Sequence, residues 1–287
     1  MPELAEVEYF RRRWDDGIGQ RVVRVELHGE KRVFRGNDPG LIEKTLRGKK
    51  LLGSETRGKQ IAFQFSKGAW LGLHLGMSGK LRVEAADFAP RKHDHLALFQ
   101  KPRTLVFSDP RMFGRVRFHV GNEMPDWWTS LPPAVTSREF TVARLRQILQ
   151  RRRRTPLKAL LLMQEFFPGV GNWMADEALW QARLHPRIAA GALDEAAERN
   201  LWRVLRSVCR IALKTIGVDW SDPPADWLIH QRWKRTGRCP THATRLKHAT
   251  VGGRTTAWCS RCQKLTGDQG FRFKKPAEAD RRARRTP

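Results

Sequence analysis

The sequence predicts a multi-domain α+β protein in three blocks. These are an N-terminal sheet structure with a flanking helix, a helical segment, and a small C-terminal hairpin organised by a metal. Three observations carry this reading. Apolar residues alternate with polar or small ones between about 20 and 121, helical spacing takes over after 137, and two Cys-containing pairs bracket a Gly-Gly turn near the C-terminus. A chain of 287 residues, 40% hydrophobic, is long enough for two or three domains with real cores.

Residues 3–16 read as a helix, because Leu4, Val7, Phe10 and Trp14 recur at three-four spacing on one face. Strand signals follow. Ile61, Phe63 and Phe65 alternate with polar or small residues, as do Leu71, Leu73 and Leu75, then Val116, Phe118 and Val120. One apolar face per strand predicts antiparallel sheets packed as a sandwich or barrel. A proline-bearing stretch at 124–136 marks a boundary. Helical patterns then cover 137–152, 156–164, 172–182 and 193–216, and 219–226 is turn-rich. The expected domains are 2–125, 137–217 and 233–273, with a basic tail at 276–287 expected to be disordered. No internal repeat is visible.

Charge narrows the partner. Lys and Arg outnumber Asp and Glu by 55 to 29, a formal +26. Residues 233–287 alone hold 15 Lys or Arg against 3 Asp or Glu. Such an excess repels itself unless it meets a polyanion, of which nucleic acid is the commonest. No apolar run reaches the roughly 18 residues of a membrane span. Acidic residues occupy the N-terminal segment where a secretory signal is basic, so a cytoplasmic location and no membrane partner are expected. Four cysteines in this length do not make a disulfide framework, and their clustering favours metal.

Cys239-Pro-Thr-His242 is followed by Cys259-Ser-Arg-Cys262. Two intervening residues let a tight turn aim two ligands at one ion. Three sulfurs and an imidazole complete a tetrahedral Zn2+ site with no open position, which makes it structural. His248 is the alternative to His242 as fourth ligand. Gly252-Gly253 supplies a turn between strands at 244–250 and 254–258. Arg254, just after it, is placed to reach a phosphate, or is one more solvated arginine. Cys209 reads as a buried helix thiol.

Pro2 follows Met1. Removal of that methionine would leave a secondary amine, and α-amino groups titrate near 8 against about 10.4 for lysine. An unprotonated amine can attack the anomeric carbon of a deoxyribose and form an iminium. Glu3 and Glu6 share a helix face and can move protons near it. The same three residues also suit an ordinary helix start.

Read together, these features resemble the formamidopyrimidine-DNA glycosylase and endonuclease VIII family. The resemblance runs from Pro2 to about Lys264. It rests on PELAEVE at 2–8, RGK at 57–59, HLGMSGKL at 74–81, DPRMFG at 109–114, PGVGNWMADEALWQARLHP at 168–186 and VGGRTTAWCSRCQK at 251–264. It implies an N-terminal β-sandwich with a flanking helix, a helix–two-turn–helix domain, and a C-terminal β-hairpin zinc finger. It also implies a monomer acting on damaged double-stranded DNA in a bacterial cytoplasm. The implied enzyme is a bifunctional glycosylase and AP lyase that excises formamidopyrimidine, 8-oxoguanine or oxidised pyrimidines. It does so through a Schiff base at the N-terminal proline and β,δ-elimination.

By position, Pro2 becomes the nucleophile, Glu3 the proton donor, and Lys59 a group near phosphate and sugar. Glu6 becomes a substrate contact, and His74 and Lys158 phosphate or base contacts. Met77, Arg111 and Phe113 become the wedge that fills the gap left by an extruded base. Asn172 and Arg254 become phosphate ligands.

The sequence departs from the family pattern at four places: Ala5 for a second proline, His242 for a cysteine, Trp173-Met174 for Ile-Tyr, and VDWSDPPADWLIHQRWKR at 218–235 where a glycine- and threonine-containing lesion-covering loop is usual. Two other readings stand beside the enzyme. One is a lesion-specific DNA-binding protein with an inert Pro2; the other is a zinc-ribbon RNA-binding protein, which leaves Met77, Arg111 and Phe113 without a role.

Overall fold

A computed structural model describes residues 2–265. The N-terminal part runs α1 (Leu4–Arg12), β1 (Val22–Leu27), α2 (Pro39–Leu46), β2 (Leu51–Arg57), β3 (Gln60–Phe65), β4 (Ala69–His74), β5 (Lys80–Glu84), β6 (Asp94–Gln100), β7 (Thr104–Ser108) and β8 (Arg115–Val120). The strands form two four-stranded antiparallel sheets, ordered β1-β6-β7-β5 and β2-β3-β4-β8. The predicted alternation is what packs them. Phe63, Phe65, Leu71 and Leu73 of one sheet meet Leu96, Leu98, Leu105 and Phe107 of the other in one core. Each such fully buried side chain contributes about 1.5–3 kcal/mol. The result is the sandwich rather than the barrel.

The helix expected over 3–16 stops at Arg12, and Asp15–Gly17 tighten into a 3-10 turn. Trp14 is fully buried, its indole N–H donating to the Arg82 carbonyl at 3.2 Å. Inside the strand region lies α2, which the pattern reading does not contain. Its cap is conventional: the Asp38 carboxylate accepts from the Gly40 and Leu41 amides, and Pro39 starts the helix.

The helical part comprises α3 (Asp126–Thr129), α4 (Val142–Arg151), α5 (Leu157–Leu161), α6 (Asn172–Gln181), α7 (Glu195–Lys214), α8 (Ile216–Asp219) and α9 (Ile229–Arg232). Thr141 caps α4 and Asp194 caps α7. Helix α5 is shorter than the expected 156–164. The expected helix 193–216 breaks at Thr215, whose hydroxyl donates to the Ile211 carbonyl at 3.0 Å. Leu145, Leu160, Phe167, Leu179, Leu201 and Leu205 are buried at the centre of this lobe. Leu4 and Ala5 of α1 join that core, whereas Val7 and Trp14 join the sandwich core. Helix α1 is therefore the strut between the two lobes.

The hairpin pairs β9 (Lys247–Val251) with β10 (Arg254–Trp258), Val251 opposite Arg254. Gly252 and Gly253 both have positive φ, 60° and 72°, as a two-residue type I′ turn requires. The first strand begins at 247, not 244. The end of the expected finger and the tail at 276–287 lie outside the described residues.

Candidate active site and metal centre

Glu3 precedes α1, but its carboxylate crosses to the helical lobe. Its two oxygens accept from the backbone amides of Trp173 (2.9 Å) and Met174 (3.1 Å), at the N-terminus of α6. A Cβ at Gly171 would collide with that carboxyl, so glycine there leaves the room in which Glu3 reaches the start of α6. Glu6 braces the arrangement. It accepts from the Glu3 amide at 3.1 Å and from the Trp173 indole N–H at 2.9 Å. One of the residues that departs from the family pattern, Trp173, thus bolts Glu6 in place.

Glu3 is 4% exposed. Burial first, and the neighbouring Glu6 charge second, push its carboxyl up to about 7 against the pull of Lys59 and the two amides. Lys59 sits beyond the tight turn at Gly58 and is nearly buried, which lowers its ammonium pKa despite the attraction of Glu3. Glu3, Glu6, Lys59, Met77, Asn172 and Arg254 line one cleft of about 670 Å³ between the lobes. Pro2, half-buried, immediately precedes Glu3.

His74 ends β4. Its Nδ1 accepts from the Gly76 amide at 3.1 Å, and burial, then the Lys59 charge, hold its imidazole down to about 4. At neutral pH it is uncharged.

Met77, Arg111 and Phe113 project from two loops, 75–79 and 109–114, that lie backbone against backbone. A Cβ on Gly76, whose φ is +63°, would strike the Phe113 backbone. Asp109, fully buried, ties the loops by accepting from the Ser78 hydroxyl and the Gly114 amide, both at 2.6 Å. Met77 is 37% and Phe113 47% exposed, and the Arg111 guanidinium lies 5.1 Å from the Phe113 ring centre. The sequence reading did not single out Asp109, although its place at the head of DPRMFG was the available signal.

Lys158 is corrected. It is fully buried, with its ammonium bound to the Asp176 carboxylate and to the Asn172 carbonyl (2.6 Å), so it presents nothing to the cleft. Asp176 also accepts from Arg232 and from the Ala257 amide at 3.1 Å, tying α5, α6, α9 and β10 together. The Asn172 side-chain Nδ2 donates to the Thr255 carbonyl at 2.9 Å, fastening the start of α6 to the hairpin that carries Arg254.

The ligand atoms of Cys239, His242, Cys259 and Cys262 lie within 4.8 Å of one another. Cys239 Sγ is 3.5 Å from Cys262 Sγ and 3.8 Å from His242 Nδ1. These are the edge lengths of a small tetrahedron, and all four vertices are protein atoms, so the donor set fits a closed metal site. The Trp180 indole and Arg183 guanidinium donate to Cys239 and Cys262, as suits thiolates. His248 is not the fourth member: its Nε2 donates to the Arg232 carbonyl at 3.2 Å. Cys209 is buried, and burial pushes its thiol up to about 12.

The two lobes define a class before any particular relative is considered. Residues 1–116 match the formamidopyrimidine-DNA glycosylase N-terminal domain, and residues 131–221 match the formamidopyrimidine-DNA glycosylase H2TH domain. The formamidopyrimidine-DNA glycosylase of Xanthomonas euvesicatoria pv. vesicatoria (strain 85-10) is 34% identical over 278 residues, 92% of this chain and 100% of that one. That of Thermus thermophilus is 37% identical over 276 residues, 92% and 98%. The Lactococcus lactis formamidopyrimidine-DNA glycosylase, solved non-covalently bound to DNA containing an AP site, superposes with a TM-score of 0.81 at 27% identity, covering 92% and 100%. The chain belongs to the formamidopyrimidine-DNA glycosylase family. No helix among the described residues is long and apolar enough to cross a membrane.

Proposed function

We propose that the protein is a bifunctional DNA glycosylase and AP lyase acting on oxidised bases in duplex DNA. One observation carries the reading: a buried carboxyl, Glu3, poised near 7, stands next to Pro2 at a cleft shared with Lys59 and Arg254. Binding of AP-site DNA by the Lactococcus lactis relative supports damaged DNA as the occupant.

The chemistry requires that Met1 be removed. The Pro2 nitrogen then attacks C1′, its proton passes to solvent or a carboxylate, and the C1′–N bond to the damaged base breaks, the base leaving with the bonding pair and taking a proton from solvent. Protonated Glu3 donates to O4′ as the sugar ring opens, leaving a C1′ iminium. Loss of a 2′ proton breaks C3′–O3′, a second elimination breaks C5′–O5′, and water releases the sugar fragment. Lys59, Asn172 and Arg254 hold phosphates around the reacting sugar. Met77, Arg111 and Phe113 occupy the gap left by the extruded base. The centre of three cysteines and one histidine holds Zn2+ and shapes the hairpin, without touching the reaction.

Borohydride trapping on a duplex with one lesion tests this. Protein shown by mass spectrometry to begin at Pro2 is expected to give a covalent adduct with a lesion- or abasic-site duplex. Tight lesion binding with no adduct on any lesion would instead mark a non-catalytic DNA-binding protein.

A further inference from the structure

We propose that Arg183 guards the metal centre: its guanidinium covers and compensates the Cys262 thiolate, and so slows loss of the ion by attack on that sulfur. This rests on the reading of the centre as a zinc site.

Arg183 stands just past the end of α6, at φ +61°. Its amide donates to the Trp180 carbonyl at 3.1 Å, and the Leu184 amide donates to the Leu179 carbonyl at 3.0 Å. This pair of bonds closes a helix through one left-handed residue. That residue is usually glycine, because a Cβ strains the conformation. Strain of this kind persists only where the surroundings hold it, and it clusters at functional sites. The Arg183 guanidinium donates to Cys262 Sγ and lies 5.9 Å from the Trp180 ring centre. Among the described residues it makes no other side-chain hydrogen bond. The turn is also held beside its target. Gln263, buried and next to Cys262, accepts from the Cys259 amide at 2.9 Å and donates to the Leu184 carbonyl at 2.8 Å. Arg183 and Cys262 are therefore joined through their neighbours as well as directly.

Each of the three sulfurs receives one donor from outside the ligand set. Cys239 takes the Trp180 indole N–H at 3.4 Å, Cys259 the Thr244 hydroxyl at 3.4 Å, and Cys262 the Arg183 guanidinium. Only the last is charged. It falls on Cys262, which is partly exposed, whereas Cys239 and Cys259 are buried. Three thiolates and a neutral imidazole around one Zn2+ leave one net negative charge, which the guanidinium cancels. A thiolate compensated in this way is less basic and a weaker nucleophile. Hydrogen peroxide probes that property. A lone pair of Cys262 Sγ takes one peroxide oxygen, the O–O bond breaks and hydroxide leaves. The sulfur is oxidised by two electrons to a sulfenic acid, the peroxide is reduced, and the ion loses a thiolate ligand.

The experiment exposes the zinc-loaded full chain to hydrogen peroxide and follows free zinc with a zinc-sensitive dye, for wild type, Arg183→Gly and Arg183→Lys. The melting temperature of each is measured before oxidation. Arg183→Gly is expected to release zinc about fivefold faster or more, the equivalent of one net hydrogen bond. Its melting temperature should equal or exceed that of wild type, because glycine removes the strain at the end of α6. A residue that merely stabilised the fold would move both readouts in the same direction. Arg183→Lys, which keeps the charge, should restore most of the slow release. Mass spectrometry of briefly oxidised Arg183→Gly should find the first added oxygen on Cys262. Release from Arg183→Gly at the wild-type rate overturns the guard, as does first oxidation at Cys239 or Cys259. An equal acceleration with a chelator alone, without peroxide, also overturns it, because Arg183 would then hold the hairpin and not shield the sulfur. Wild-type protein that binds no zinc in metal analysis overturns the zinc reading itself, a result separable from the others.

Discussion

At the scale of the residue, Glu3 shows how burial converts an ordinary carboxylate into an acid usable at neutral pH. Its pKa is raised from 4.5 to about 7, so the folded state holds the proton more tightly than the unfolded chain. Below about 4.5 both states are protonated and the group has no effect on stability. Between about 4.5 and 7 the unfolded chain ionises first, so stability falls, and above 7 the deficit is constant. Two outcomes follow for Glu3→Gln. Its melting temperature should exceed that of wild type at pH 8 and equal it at pH 4. Its excision rate should drop about 100-fold or more at pH 6.5 and lose the wild-type decline above pH 7. A wild-type rate that stays flat from pH 6 to 9 while chemistry limits turnover would remove Glu3 as the donor. The sequence showed the two carboxylates sharing a helix face. It did not show their anchors, because the Trp173 partner of Glu6 lies 167 positions away. The setting of Lys158 is hidden for the same reason: nothing local announces that Asp176 claims its ammonium inside a core.

At the scale of the element, the hairpin was the most legible part of the molecule. Its two ligand pairs and Gly-Gly turn are local signals, and local chemistry decides them. The choice of His242 over His248 was not local, since it depends on the Arg232 carbonyl that occupies His248. Helix α2 was hidden differently. Asp, Pro and Gly in succession are common turn formers, yet Asp38 and Pro39 cap a helix when Ile42 and Leu46 find a core. In the proposed mechanism the metal-binding hairpin has no chemical step of its own, and this separates two measurements. Removing the metal, or Arg254→Ala, should weaken damaged-duplex binding by about tenfold or more, the value of a lost charge-assisted phosphate contact. Borohydride trapping at saturating DNA should survive Arg254→Ala. Metal-free protein that processes duplex lesions at the full rate would contradict this division.

At the scale of the whole molecule, the three-block order and the sandwich follow from periodicity, because period two and period 3.6 are different physical faces. What periodicity cannot contain is how the lobes meet, because that contact is made by a few polar groups. Helix α1 contributes to both cores, and the Leu4 amide donates to the Gly169 carbonyl at 3.0 Å. Gly171→Ala tests the junction. The added methyl cannot coexist with the Glu3 carboxyl in its present position, so the carboxyl must leave its place at the start of α6 or the helix must move away from it. Excision should slow by about 10- to 100-fold and the decline of its pH profile on the alkaline side should begin at lower pH, with metal content unchanged. An unaltered profile would show that Glu3 does not depend on that contact.

The carboxyl of one lobe capping a helix of the other works as an interlock. Burial is the largest cause of the raised pKa, and it outweighs the amides of Trp173 and Met174, which pull the other way. Prying the lobes apart admits water, returns Glu3 toward ordinary acidity, and discharges its proton. The strength of this acid is therefore a property of the junction between the lobes, and a substitution that loosens the start of α6 should also make Glu3 easier to ionise.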